Sequence, residues 1–299
     1  MKVLIIGCGA IGSYYGAKLQ QAGAEVVAVI RTKFDQVQTH GIKIKSINEE
    51  LIFTPKVINQ IEDYQETADY ILVATKVLPE VDLVEMLKPV LKPKTAITLI
   101  QNGIHIEKNL VKSFPNNLII RCLAFICVSK PAPYFVDHQD FGRIVIGKFP
   151  QGAEEKVNQI AKFWQNSGIE CKISNNINQE IWKKLVWNAP FNPISVLSCG
   201  ATTKELLNNR YSRQLIVNVM QDVIKLANSD GCNLDQNLIK QMISYTESMT
   251  PYKTSMLLDF ENNRSLEIEA ILGNAVRFAQ NKQINTPFLN AIYGLLSHY

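Results

Sequence analysis

Four branched apolar residues in succession, Val3-Leu4-Ile5-Ile6, run directly into a glycine-rich stretch. An apolar run of that length bounded by glycine predicts a strand buried on both faces, as in a parallel sheet. The period then lengthens to that of a helix over residues 10–22, ended by Gly23, before residues 25–30 predict a second strand. Similar runs predict strands at 41–45, 68–74, 95–100, 118–128, 134–137, 143–147 and 169–173. Helices are predicted over about 80–91 and 153–166, and Lys130-Pro131-Ala132-Pro133 reads as a loop between strands. Beyond the polar, turn-rich Ser174-Asn175-Asn176-Ile177-Asn178 the strand pattern stops. Helical spacing then covers 180–197, 211–230 with Gly231 as its cap, 235–249, 267–282 and 287–297. Leu215, Val219, Val223 and Leu226 lie on one apolar stripe, the signature of a core-facing surface. The chain therefore divides into residues 1–174, α/β, and residues 175–299, all-α.

The turn after the first strand has the spacing G-x-G-x-x-G at Gly7, Gly9 and Gly12. Gly7 permits a tight turn, Gly9 lets backbone approach a pyrophosphate, and Gly12 allows close helix–strand packing. With Cys8, Ala10 and Ile11 between them, these residues form a candidate phosphate-binding loop at a helix N-terminus. A strand, this turn, a helix and a second strand predict a Rossmann-like dinucleotide-binding domain. The residue ending the second strand selects the dinucleotide. An NAD site places Asp or Glu there, whereas this chain has Ile30-Arg31-Thr32-Lys33, and an arginine fork suits a 2′-phosphate. NADP(H) is the predicted cofactor, with Arg31 as its reader and Lys33 as a solvated loop charge.

Two further strand ends carry polar groups where ligands of open α/β sheets bind: Thr75-Lys76 and Gln101-Asn102-Gly103. Each also has a plain reading, Lys76 as a surface lysine and Asn102 as an ordinary Asn-Gly turn. In the helical half, Lys184, Asn188 and Asn192 recur every fourth residue, forming one polar row on an otherwise apolar helix. Buried polar groups need partners, which a substrate can supply. Pro190 and Pro193 predict a kink before the row ends.

Charge narrows the partners. The 31 basic and 27 acidic residues are spread without blocks, so a net +4 gives no electrostatic case for nucleic acid or membrane. The six cysteines and four histidines are scattered without metal-ligand spacing, so no metal site is expected and the thiols read as reduced. The apolar opening is too short for a secretory segment, and a cytoplasmic protein is expected. Nothing in one sequence decides oligomeric state, and homodimerisation stays open.

Taken in order, these motifs resemble the ketopantoate reductase family. The resemblance runs through Gly7, Gly9, Gly12, Arg31, the lysine of the T-K turn (Lys76), Asn102-Gly103 and the helix signature W-x-K-L-x-x-N-x-x-x-N-P. That signature falls on Trp182, Lys184, Leu185, Asn188, Asn192 and Pro193; a later S-M-x-x-D falls on Ser255, Met256 and Asp259, followed by Glu267. The resemblance implies NADPH-dependent reduction of 2-dehydropantoate to pantoate, a step of pantothenate and coenzyme A synthesis. It implies Lys184 as general acid, Glu267 as the second catalytic residue that holds the substrate hydroxyl and orients the lysine, Lys76 and Asn102 at the cofactor, and Asn102, Asn188, Asn192, Ser255 and Asp259 at the small 2-oxo acid substrate. The aromatic and proline residues Trp187, Pro190 and Phe191 leave room for another 2-oxo acid, and a non-catalytic NADP(H) sensor is the alternative outside enzymology.

Overall fold

The computed structural model describes residues 1–47 and 49–299. It begins with β1 (Lys2–Ile6), α1 (Ala10–Gln21), β2 (Glu25–Val29), α2 (Phe34–His40), β3 (Ile42–Ser46), β4 (Glu50–Phe53) and β5 (Lys56–Ile58). There follow β6 (Tyr70–Val73), α3 (Leu83–Leu87), β7 (Ala96–Leu99), α4 (Lys108–Ser113), β8 (Ile119–Ala132), β9 (Phe135–Lys148), α5 (Glu155–Asn166) and β10 (Cys171–Ile173). The strands share one sheet of order β4-β3-β9-β8-β7-β6-β1-β2-β5, with β10 beside β9. β5, β2, β1, β6, β7 and β8 pair in parallel, and β6 and β7 are buried at every position, which is why they read as unbroken apolar runs. The chain leaves β1 for β2 on one side and returns to β6 on the other. That reversal places a ligand crevice at the carboxyl ends of β1 and β6.

The hairpin β8–β9 corrects the reading of this region as short strands and a loop. β9 is a single strand that joins the two expected ones, running unbroken from Phe135 to Lys148, and β8 runs on through Lys130 and Pro131. β8 pairs with β7 only over Ile119–Arg121, so Pro131 lies where that edge of the strand needs no donor, within a register irregularity between Ser129 and Ala132. The helix expected over 80–91 shortens to α3, because Asp82 caps its start by accepting from the Val84 and Glu85 N–H groups and Pro89 stops it. Short elements such as α2, β4, β5 and α4 lie outside the predicted set, since three to seven residues hold too little periodicity to register.

A buried ion pair lies beneath the strand-end turns. Arg121 on β8 (0 % exposed) meets Glu107 (1 %) ahead of α4, and Arg121 Nη2 donates to the Gln101 carbonyl at 3.2 Å. Gln101 Nε2 in turn donates to Thr75 O (2.7 Å) and stands 3.1 Å from Thr75 Oγ1. The polypeptide after β6 and that after β7 are thereby tied together.

The molecule has two compact units. One comprises Met1–Lys76, Asp82–Gln101 and Glu107–Ile177; the other comprises Asn178–Tyr299 together with Val77–Val81 and Asn102–Ile106. The helical part contains α6 (Ile177–Leu197), α7 (Thr203–Asn208), α8 (Arg210–Ser229), α9 (Asn237–Ser248), α10 (Ser255–Glu261), a π-helical turn at Glu269–Gly273, α11 (Asn274–Lys282) and α12 (Pro287–Leu296). α6 is one helix that continues through both Pro190 and Pro193. Burial of Val186, Ala189, Phe191, Ile194 and Val196 outweighs the roughly 3 kcal/mol that an internal proline costs. Among the described residues, no helix is long and apolar enough to cross a membrane.

At the head of α6, Asp230 Oδ2 accepts from Trp182 Nε1 (2.8 Å) and Asn178 Nδ2 (3.1 Å), with His105 Nε2 at 3.6 Å. Burial alone raises this carboxyl, but hydrogen bonds from His105, Trp182 and Asn178 outweigh it and hold the group at about 2. Because the native pKa lies below the ordinary value, the stability it contributes is complete at neutral pH and disappears as pH falls through about 2. Asp230→Asn is expected to lose about 1–2 kcal/mol near pH 7 and to converge with the parent protein at pH 2. Urea denaturation at the two pH values checks this; a constant difference sinks it.

Candidate active site

The sheet unit builds a cradle at the end of β1. Gly7 has φ +93, and a Cβ there would lie 2.4 Å from the Thr75 nitrogen. At Gly12 a Cβ would lie 2.2 Å from the Gly7 carbonyl oxygen. These contacts show why both positions are glycine: one turns the chain against the end of β6, and the other seats α1 against the loop. At Gly9, by contrast, a Cβ would meet nothing within 4 Å, so the loop faces open space there. Open backbone at the N-terminus of α1 fits the phosphates of a dinucleotide. Arg31 is exposed just past β2, and Lys76 is half-buried just past β6. Lys130, expected in a loop, donates from Nζ to Cys8 O at 2.6 Å and stands 3.4 Å from Ser13 Oγ.

The helical unit assembles a second polar group. Lys184 Nζ donates to Asn102 Oδ1 at 3.0 Å, and Asn102 Nδ2 donates to Glu267 Oε2 at 3.4 Å. The orientation of the amide follows from its neighbours: an ammonium only donates and a carboxylate only accepts. Glu267 Oε1 also accepts from the Val77 N–H at 3.0 Å, and Ile104 N–H donates to Ala270 O at 3.3 Å. Segments far apart in sequence thus present a lysine, an amide and a carboxylate together. One turn and two turns along α6 from Lys184, Asn188 (8 % exposed) and Asn192 (2 %) are buried, and neither side chain hydrogen-bonds another described residue. Such groups stabilise a ligand that completes their hydrogen bonds.

Comparison with known proteins decides what this arrangement belongs to. The family model described as ketopantoate reductase PanE/ApbA matches residues 3–151, and its C-terminal counterpart matches residues 176–299. The chain is 34 % identical to a 2-dehydropantoate 2-reductase of Nostoc sp., over 98 % of this chain and 93 % of that one. The chain belongs to the ketopantoate reductase family. It superimposes on the crystal structure of a 2-dehydropantoate 2-reductase from Methylococcus capsulatus with TM-score 0.94 and 37 % identity, covering 99 % and 96 % of the two chains. The fold is also that of a D-mandelate dehydrogenase solved with NADH and anilino(oxo)acetate (TM-score 0.89, 22 % identity, coverage 100 % and 97 %).

Membership of the ketopantoate reductase family makes this chain a dinucleotide-dependent oxidoreductase of a small molecule. Within that frame, the residues expected at the site differ in setting. Lys184, Asn102 and Glu267 are joined by hydrogen bonds. Ser255 is exposed at the first residue of α10, whose cap is Thr254, and Asp259 pairs with Arg264 Nε at 3.1 Å. Besides Lys130, the residues that no sequence motif marks are Arg121 and Glu107, whose spacing matches no pattern.

Proposed function

We propose that this chain reduces the ketone of 2-dehydropantoate to pantoate with NADPH, feeding the synthesis of pantothenate and coenzyme A. The observation that carries the reading is the Lys184–Asn102–Glu267 chain of hydrogen bonds. When bound, NADPH supplies the hydride. The loop Gly7, Cys8, Gly9, Ala10, Ile11 and Gly12, with Arg31, Lys76 and Asn102, would hold it. As negative charge develops on the ketone oxygen, the Lys184 ammonium stabilises it and then gives up a proton to it. Asn102 aims that ammonium through its carbonyl oxygen, and Glu267 holds the amide in the orientation this requires. Asn188 and Asn192 would bind the carboxylate or hydroxyl groups of the substrate, with Ser255 and Asp259 at its edge. The absence of a carboxylate from Ile30-Arg31-Thr32-Lys33 supports NADPH over NADH.

Purified protein should oxidise NADPH in the presence of ketopantoate with saturation, and NADH far more slowly. Binding of NADPH without ketopantoate turnover would leave the cofactor reading standing and overturn the substrate. For Arg31→Ala, the KM for NADPH is expected to rise roughly tenfold, the effect of one charge-assisted hydrogen bond at an exposed position, while the KM for NADH stays within twofold. Equal effects on the two cofactors would remove Arg31 from 2′-phosphate recognition.

A further inference from the structure

Lys130 is a partly buried cation at the glycine loop that neither the motif nor the hydride chemistry accounts for. Among the described residues, no carboxylate lies within ion-pair distance of its Nζ; the ammonium contacts only the Cys8 carbonyl and Ser13 Oγ. The neighbouring Cys8 thiol cannot neutralise it, because burial pushes that thiol up and keeps it protonated. Burial also lowers the lysine, the direction expected of a charge drawn from water without a full partner. A cation in this situation is costly to the free protein and stabilised by an anion that binds near it.

The loop supplies a place for that anion. A trans peptide is planar, with its C=O and N–H on opposite sides, so a Cys8 carbonyl held by Lys130 directs the Gly9 N–H away from the lysine. Gly9 is also where the loop meets open space. Lys130 therefore fixes the orientation of the Cys8–Gly9 peptide and reinforces its dipole. We propose that Lys130 is a positioning residue for the dinucleotide, holding the Cys8–Gly9 peptide and supplying an unneutralised positive charge for the pyrophosphate. This rests on the dinucleotide reading of the loop given above.

The test is direct binding by isothermal titration calorimetry, with NADPH and with 2′-AMP, which carries the 2′-phosphate but no pyrophosphate. Lys130→Met is expected to weaken NADPH roughly tenfold to a hundredfold, the range for a hydrogen bond to a charged group, and to leave 2′-AMP within twofold. KM for NADPH should rise in parallel while kcat stays within a few-fold, and Lys130→Arg, which keeps the charge, should restore most of the affinity. Lys130→Gln keeps an N–H donor without the charge and must show the same loss; it serves as the second variant if the methionine protein folds poorly. Unchanged NADPH affinity in both uncharged variants, or equal weakening of NADPH and 2′-AMP, overturns the proposal. Failure of the unaltered protein to bind NADPH would instead overturn the cofactor reading itself.

Discussion

Replacing Lys184 with alanine is expected to lower kcat roughly a hundredfold to ten-thousandfold while NADPH affinity stays within twofold. The size follows from the task. A ketone oxygen that becomes an alkoxide needs both a nearby positive charge and a proton, and the ammonium provides the two from one atom. Asn102 accepts from Nζ at 3.0 Å, so the ammonium is held in place before any ligand arrives. Lys184→Arg separates the two contributions. A guanidinium retains the charge but does not release its proton at working pH, so the arginine variant should also be slow. Single-turnover oxidation of NADPH, with affinity measured independently by fluorescence, distinguishes lost chemistry from lost binding. A kcat within tenfold of the parent for Lys184→Ala would remove the lysine from the role of general acid.

The second large effect is on stability. Glu107→Ala is expected to destabilise the protein by about 3–5 kcal/mol, because it removes the carboxylate paired with a fully buried Arg121. Arg121 also donates to the Gln101 carbonyl, and Gln101 holds Thr75, so the loss spreads to the turns after β6 and β7. Arg121→Met combined with Glu107→Leu should recover most of the stability, since an apolar pair of similar volume avoids the desolvation of two charges. Urea denaturation of the single and double variants decides the matter. A loss below about 1 kcal/mol for Glu107→Ala would mean that water or backbone compensates the arginine.

How much of the site was legible follows from how local each signal is. The cradle at Gly7, Gly9 and Gly12 is read from six neighbouring positions, and the structure gives two of those glycines a steric reason. The row Lys184, Asn188, Asn192 is likewise local to one helix, and α6 preserves it. The helix runs on through Pro190 and Pro193, because proline rules describe isolated helices whereas the surroundings of α6 are buried core. The proline neighbours of Lys130 suggest a turn; β8 nevertheless spans it, because the hairpin pairs on either side of it, Ser129 with Asp137 and Ala132 with Phe135, contacts absent from any local pattern.

By itself, the sequence determined the parallel strands, the glycine turn, the division into an α/β half and a helical half, and the polar row on α6. Each depends on side-chain period or turn chemistry within a few residues, where chain geometry is the controlling physics. Only the tertiary structure decided that Asn102 and Glu267, 165 residues apart, share a hydrogen bond beside Lys184. It alone placed Arg121 on Glu107 and set Lys130 against the glycine loop. Such contacts are chosen by strand order and by burial, and for Arg121 by the carboxylate a fully buried charge needs, conditions that arise only once distant segments have packed.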